Sequence, residues 1–359
     1  MTAHEAYIAF NLTDNIGSVG VEALVERFGD PVAAWEAYPK KISRTGGEVD
    51  WRGEIAAARK HGVTLLTCAD EGYPAILCSA PGRPLVLYVK GSVAALSTPA
   101  IAIVGTRRAT AYGREQANRF GYELAKCGWS VISGLALGID AEAHRGALDA
   151  GGVTVGIIGS GLDRFYPEEN RALAREIVEK GGAVVSEFPF GRAPDQQTFP
   201  IRNHVVAALA RGTVAIEAPV KSGTLITTGI AADLGRIVMA LPGRVDARTS
   251  AGCLKLIRDG ATLVRCASDV NEAMGSLLPQ NVKTAAPAAD EVRAEPVLPA
   301  LSVEEALVLR AADPAGMSID ELVRTTKLSV AKVNSLVMQL RLKDRLRFLP
   351  GNRVAPNRG

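Results

Sequence analysis

Between residues 70 and 275, short apolar runs alternate with longer stretches that carry apolar residues at helical spacing. Runs rich in Val and Ile fall at 85–89, 100–104, 130–132, 154–158, 183–185, 214–216 and 237–241. Segments of helical length and pattern fill most of the gaps, as at 112–127, 139–150 and 168–180. Strands that are apolar throughout are covered on both faces, so the pattern predicts an α/β fold with a doubly wound, mainly parallel sheet. In such a sheet ligands settle at the carboxyl ends of the strands.

The flanks follow other patterns. In residues 1–65, Ile16, Val19, Leu24, Val25 and Phe28 recur at near-helical spacing, Gly17, Gly20 and Gly29 interrupt them, and Pro31 opens a further helix; a small helical domain is predicted. Residues 303–312, 319–326 and 330–342 predict three more helices, the last with Val330, Val333, Leu336, Val337 and Leu340 on one face. A hairpin turning at 350–352 follows, in which Leu346 and Phe348 alternate with Arg345 and Arg347. Three helices and a basic hairpin make a winged helix. Residues 276–300 hold four Pro, six Ala and no Gly, too little apolar surface to order themselves, and predict an extended linker. The expected organisation is a helical domain at 1–65, a sheet domain at 66–275, the linker at 276–300 and a winged-helix domain at 301–359.

Composition narrows the class. The chain has 359 residues, 47% hydrophobic and 22% charged, ordinary for a globular protein. Its five cysteines are widely spaced and form no CxxC, which argues against a disulfide framework or zinc ribbon and for a cytoplasmic setting. The first residues lack a basic, apolar leader and no run is long enough to span a membrane. Net charge is only +3, but residues 301–359 carry ten Lys/Arg against six Asp/Glu, leaving 31 against 32 for the rest. Any affinity for nucleic acid must therefore come from local placement of charge.

Four predicted strands end in turns of small residues: Gly105-Thr106-Arg107-Arg108, Ser133-Gly134, Gly159-Ser160-Gly161, and Lys221-Ser222-Gly223-Thr224 ahead of a helix. Each can aim backbone N–H groups at an anion, with glycine admitting a phosphate close to the backbone, hydroxyls adding donors, and Arg107, Arg108 and Lys221 adding charge. Four such turns on one sheet edge predict a phosphate-rich ligand. A Walker loop is absent, the nearest GxGxxG has Arg164 in place of its third glycine, and the four His are scattered, so no ATPase, dinucleotide or metal site is indicated and no cofactor is implied. Asp140 and His144, one turn apart, could form an acid/base pair, or simply a capping carboxylate beside an imidazole. The loop at 188–204 holds three Phe, two Arg and three Pro. Phe199 beside Arg202 and Asn203 suits single-stranded nucleic acid, with a ring for a base and donors for the phosphate. Phe199 could equally plug the core, with Arg202 pairing Glu187 or Glu217.

Taken in order, these residues resemble the DNA-processing protein A (DprA/Smf) family. The likeness runs through Tyr73-Pro74, Leu87-Tyr88-Val89-Lys90-Gly91, Val104-Gly105-Thr106-Arg107-Arg108, Ile132-Ser133-Gly134-Leu135-Ala136, Gly138-Ile139-Asp140, Tyr166-Pro167-Glu168-Glu169-Asn170, Phe199-Pro200-Ile201-Arg202-Asn203 and Ser222-Gly223-Thr224-Leu225-Ile226-Thr227. The resemblance implies a Rossmann-like core that binds single-stranded DNA without catalysis, forms a homodimer, and loads RecA during natural transformation and recombination. It places DNA contacts at Gly105, Thr106, Arg107, Ser133, Gly134 and the 199–203 loop. The first helical region is expected to be SAM-like or helix-hairpin-helix-like, with Gly17-Ser18 replacing the usual Pro-Gly. Two departures stand out: Cys253 where Asn is usual, and His204 where Arg is common, which is expected to remove a cation near the DNA path. In the winged helix, Lys332, Gln339, Arg341, Arg345 and Arg347 are candidates for contact with duplex DNA or a protein.

The rival reading is an enzyme, a nucleotide phosphoribohydrolase of the lysine-decarboxylase-like group. Its ProGlyGly-x-GlyThr-x-x-Glu motif corresponds here to residues 220–227, where the Glu is missing.

Overall fold

The computed structural model describes residues 1–44, 46–275, 301–313, 316–343, 345–349 and 353–356. The expected linker at 276–300 and the hairpin turn at 350–352 lie outside them. The chain divides into two compact units, 1–287 and 288–359.

The first unit is built on a nine-stranded sheet: β1 (Thr64–Thr67), β2 (Val86–Gly91), β3 (Ala100–Val104), β4 (Ser130–Ser133), β5 (Thr154–Ile157), β6 (Ala183–Ser186), β7 (Gly212–Ala215), β8 (Ile237–Ala240) and β9 (Thr262–Leu263). Their order is β1-β2-β6-β5-β4-β3-β7-β8-β9. From β6 to β9 all neighbours are parallel, whereas β1 and β2 pair antiparallel at one edge. The chain runs outward from β3 through β4, β5 and β6, then returns to lay β7 on the other side of β3. The reversal point of the winding therefore lies between β3 and β7, where a crevice opens at the carboxyl ends of such sheets.

Each predicted strand is present, and β1 and β9 are additions. The alternation along β3 shows why both faces are covered: Ala100, Ala102 and Val104 join one core with Val205, Val206 and Leu209, while Ile101 and Ile103 join another with Phe120, Leu124 and Ile139. The helices in chain order are α1 (Ala3–Leu12), α2 (Ser18–Phe28), α3 (Pro31–Ala37), α4 (Trp51–His61), α5 (Ala75–Cys78), α6 (Ala111–Lys126), α7 (Ile139–Asp149), α8 (Arg171–Glu179), α9 (Thr198–Leu209), α10 (Gly223–Asp233), α11 (Ala251–Arg258) and α12 (Ala267–Met274). Helices α1 to α4 share a core with Leu85, Val86 and Tyr88, so they pack on the antiparallel edge of the sheet. Gly29 ends α2 in the left-handed region and Asp30 caps α3, accepting from the Ala33 N–H at 2.9 Å. Gly20, expected as a break, lies inside α2, and Val19 and Phe28 are exposed; Val21 is the buried contact.

The second unit contains α13 (Val303–Ala311), α14 (Ile319–Thr326), α15 (Val330–Leu342) and a three-stranded antiparallel sheet of β10 (Met317–Ser318), β12 (Arg353–Pro356) and β11 (Leu346–Leu349). Ser302 with Glu305 and Ser318 with Glu321 form capping boxes at α13 and α14. Val333, Leu336, Val337 and Leu340 face the core with Leu346, but Val330, assigned to that face, is exposed at the first turn.

Two titratable groups inside the first unit act in opposite directions. His144 of α7 lies 2.7 Å from Thr154 Oγ1, whose own hydrogen goes to the Val131 carbonyl at 2.7 Å. His144 Nδ1 is therefore the donor, the ring is neutral, and burial pushes its pKa down to about 3 from 6.5. Glu187 has a carboxylate oxygen shut off from water without a partner. Burial pushes its pKa from 4.5 up to about 7, against the opposing charge of Arg44. Stability from His144 is present above pH 6.5 and lost as pH falls toward 3; stability from protonated Glu187 is present below pH 4.5 and lost as pH rises through 7. The advantage of Glu187→Gln over the parent should accordingly grow from pH 4.5 to 7 in urea denaturation; a constant difference across that window would show that the native carboxyl is already ionised.

Candidate nucleic-acid interface

A cavity of about 430 Å³ opens at the reversal point, between the carboxyl ends of β3 and β4 and the amino ends of α9 and α10. It gathers four separate segments: Gly105, Thr106 and Arg107 after β3, Gly134 after β4, Phe199, Arg202 and Asn203 from α9, and Lys221, Ser222, Gly223 and Thr224 at the start of α10. Four residues named from the sequence stand outside it. Ser133 is buried and donates to the Ile103 carbonyl at 2.6 Å. Ser160 is also buried, with an unpartnered hydroxyl. Gly159 borders a smaller neighbouring cavity that is also lined by Phe199, and Arg108 is exposed and lines neither.

The glycines serve a different end from the one expected. A Cβ on Gly105 would lie 2.4 Å from Ile139, and one on Gly134 would run into the Arg202 guanidinium. At both turns the space is filled by the protein, so glycine is required for packing beneath the site and not for approach of a ligand. Gly223 differs, since a Cβ there would meet only Asn203 Nδ2 at 4.0 Å. Beside it, Ser222 is the cap of α10 yet makes no capping bond, and its hydroxyl is unpartnered. That hydroxyl is shut off from water, so exposed Lys221 and the first N–H groups of α10 are the donors this helix start offers the cavity.

Arg202 also departs from expectation. It is buried, and its Nη1 donates to the Ile157 carbonyl at 2.7 Å and to the Gly134 carbonyl, while Nε donates to Asn203 Oδ1 at 3.1 Å. It forms no ion pair with Glu187 or Glu217; Glu217 instead accepts from the Thr110 hydroxyl at 2.6 Å and the Thr110 N–H at 2.9 Å. Burial lowers the Arg202 pKa to about 10, opposed by the charge of Asp140. Its role is to tie α9 to the turns after β4 and β5, leaving Arg107 and Lys221 as the exposed cations among the predicted pocket residues.

Asp140 accepts from the N–H groups of Gly134 at 3.1 Å and Ala136 at 3.3 Å. Burial raises its pKa, and Arg202 counteracts this. With His144 bonded to Thr154, Asp140 and His144 form neither an acid/base couple nor the expected i,i+4 pair. His204 does not line the cavity; burial lowers its pKa, opposed by a hydrogen bond with the Pro81 backbone. Cys253 is buried against the Ala215 carbonyl.

Phe199 is half-buried, and the Arg107 guanidinium lies over its ring, 4.7 Å from the centroid. The ring of Tyr166, exposed, stands 6.1 Å away on the smaller cavity. Tyr166 was not among the predicted site residues; an aromatic beside Pro167, just ahead of a predicted helix, was the available signal. In the winged helix, Lys332 is paired with Glu304 at 2.9 Å and Arg345 is half-buried, while Gln339, Arg341 and Arg347 are exposed.

The chain matches the DNA recombination-mediator protein A family over residues 64–275 and the DprA winged helix domain over 292–352. It is 33% identical to Protein Smf of Synechocystis over 294 residues, 77% of this chain and 74% of that one. The structure of DNA processing protein A from Streptococcus pneumoniae superposes with a TM-score of 0.64 at 30% identity, over 76% of this chain and 98% of that chain. A second, from Helicobacter pylori and described for its single-stranded DNA binding mode, gives 0.52 at 30% identity over 58% and 94%. Ordered motifs, a Rossmann-like core and a winged helix coincide in one chain, which belongs to the DprA/Smf family of DNA processing proteins.

Proposed function

We propose that the cavity at the carboxyl rim holds single-stranded DNA by its sugar-phosphate backbone and leaves its bonds intact, and that the protein, as a homodimer, hands the strand to RecA during transformation and recombination. The observation that carries this reading is the Arg107–Phe199 stack facing the open start of α10 across one cavity. A base can lie on the outer face of the guanidinium, continuing the stack, while its phosphate reaches Lys221 and the first N–H groups of α10. The single-stranded DNA binding described for the Helicobacter pylori relative supports the same ligand. The carboxylates nearest the site are held by the fold, Asp140 on two backbone N–H groups and Glu217 on Thr110, which favours binding over phosphoribohydrolysis. Release of base from nucleoside monophosphates by the pure protein would reverse that preference.

Stacking contributes roughly 1–3 kcal/mol per base, and each neutralised phosphate steepens the log–log salt dependence by about 0.7. Arg107→Ala and Phe199→Ala should each weaken a short oligothymidylate more than about tenfold in fluorescence titrations. Arg107→Lys should keep the salt slope and still lose affinity, because an ammonium keeps the charge without the flat stacking face. Unchanged affinity in both alanine variants, with folding intact, would remove the assignment. For the winged helix, deleting residues 296–359 should weaken duplex binding more than single-strand binding; equal effects on the two contradict a dedicated duplex reader.

A further inference from the structure

Beside the carboxyl-rim cavity lies the smaller one, of about 30 Å³, which shares Arg107, Gly134, Ala136, Phe199 and Arg202 with it. That hollow is far too small to enclose a nucleobase. What it adds is its edge, where Leu137 and Tyr166 are exposed. The Tyr166 ring stands 6.1 Å from that of Phe199 and is tilted 49° to it. This lies in the outer part of the range for paired aromatics and is neither stacked nor edge-on, so Phe199 does not cover the face of Tyr166.

The fold fixes where this ring stands. Asn170, buried four residues on, donates from Nδ2 to the Leu135 carbonyl at 2.8 Å, and its N–H goes to the Pro167 carbonyl at 3.1 Å. The turn at 166–170 is thereby tied to the segment after β4. Arg202 ties α9 to the same segment through the Gly134 carbonyl. Two consecutive carbonyls, of Gly134 and Leu135, thus hold the segment bearing Tyr166 and the helix bearing Phe199 at one separation before any ligand arrives.

Neighbouring bases in a duplex are parallel and about 3.4 Å apart along each strand. They cannot follow the Arg107–Phe199 stack and then a ring inclined at 49° to Phe199. The bases of a single strand can swing apart, and each has a flat face to lay on an aromatic side chain. Resting on the reading of this rim as a single-strand site, we propose that Tyr166 is a second base platform there: it takes the base next to the one carried by Arg107 and holds the two apart, which a duplex cannot imitate.

The test uses the full chain and two probes, a short oligothymidylate and one of the same length with every second thymine replaced by an abasic sugar. The second probe offers no two neighbouring bases in any register. Tyr166→Ala should weaken the full oligothymidylate at least about fivefold in fluorescence titrations, and Tyr166→Phe should bind it as the parent does. The parent should lose a similar factor on the alternating probe, and Tyr166→Ala should bind both probes alike. Tyr166→Leu keeps the bulk and loses the flat ring, and it takes the place of the alanine variant if that one does not fold. Parent-like binding of the full oligothymidylate by the alanine or leucine variant overturns the platform. So does an equal loss on both probes, which would mean that Tyr166 shapes the site and touches no base. Arg107→Ala separates the two readings: binding lost there but kept without Tyr166 removes the platform alone, whereas binding kept in Arg107→Ala removes the rim site and the platform with it.

Discussion

The geometry of the carboxyl rim depends on one buried cation. Arg202 leaves water to donate to the carbonyls of Gly134 and Ile157, so α9 is tied to the turns after two neighbouring strands. A buried guanidinium is tolerable because oriented carbonyl dipoles take its hydrogens and Asp140 lends opposite charge. Phe199 and Asn203, on the same helix, inherit their positions from that tie. Gly134 follows from it too, since a side chain there would occupy the volume of the guanidinium.

The parts of the fold that were legible in the sequence are those with strong local patterning. Apolar runs such as 100–104 and 154–158, short, β-branched and bounded by Pro or Gly, read as strands buried on both faces, and the helices of the winged unit carry Ser caps and amphipathic spacing that fix their limits. The two missed strands are edges: β1 is four residues long, and both residues of β9 are exposed, so neither bears a continuous apolar signature. The candidate site was legible by residue type and order, because glycines and hydroxyls cluster where parallel strands end. Which way each side chain turns was not. Helix α9 buries Thr198, Arg202 and every residue from Val205 to Leu209, so it has no polar stripe that would say whether Arg202 points in or out. The same holds for Gly105 and Gly134, whose purpose depends on Ile139 and Arg202, neighbours that only the folded chain supplies.

The two rims of the sheet use arginine differently. At the carboxyl rim one guanidinium is consumed by the scaffold and another, on Arg107, remains at the surface. At the amino rim the half-buried Arg236 holds the end of α9, with its Nε shut off from water. Where the arginines of a near-neutral first 300 residues point is thus something that net charge alone does not disclose.

The position of Arg107 over Phe199 has a consequence for speed as well as strength. A long, flexible side chain normally gives up rotational freedom when it grips a partner, and that loss subtracts from the grip. Here the aromatic plate has already narrowed the choices before any partner arrives. On the proposed function, a strand arriving at Arg107 would meet a side chain already placed by the ring, so less ordering would remain to be done at the moment of capture.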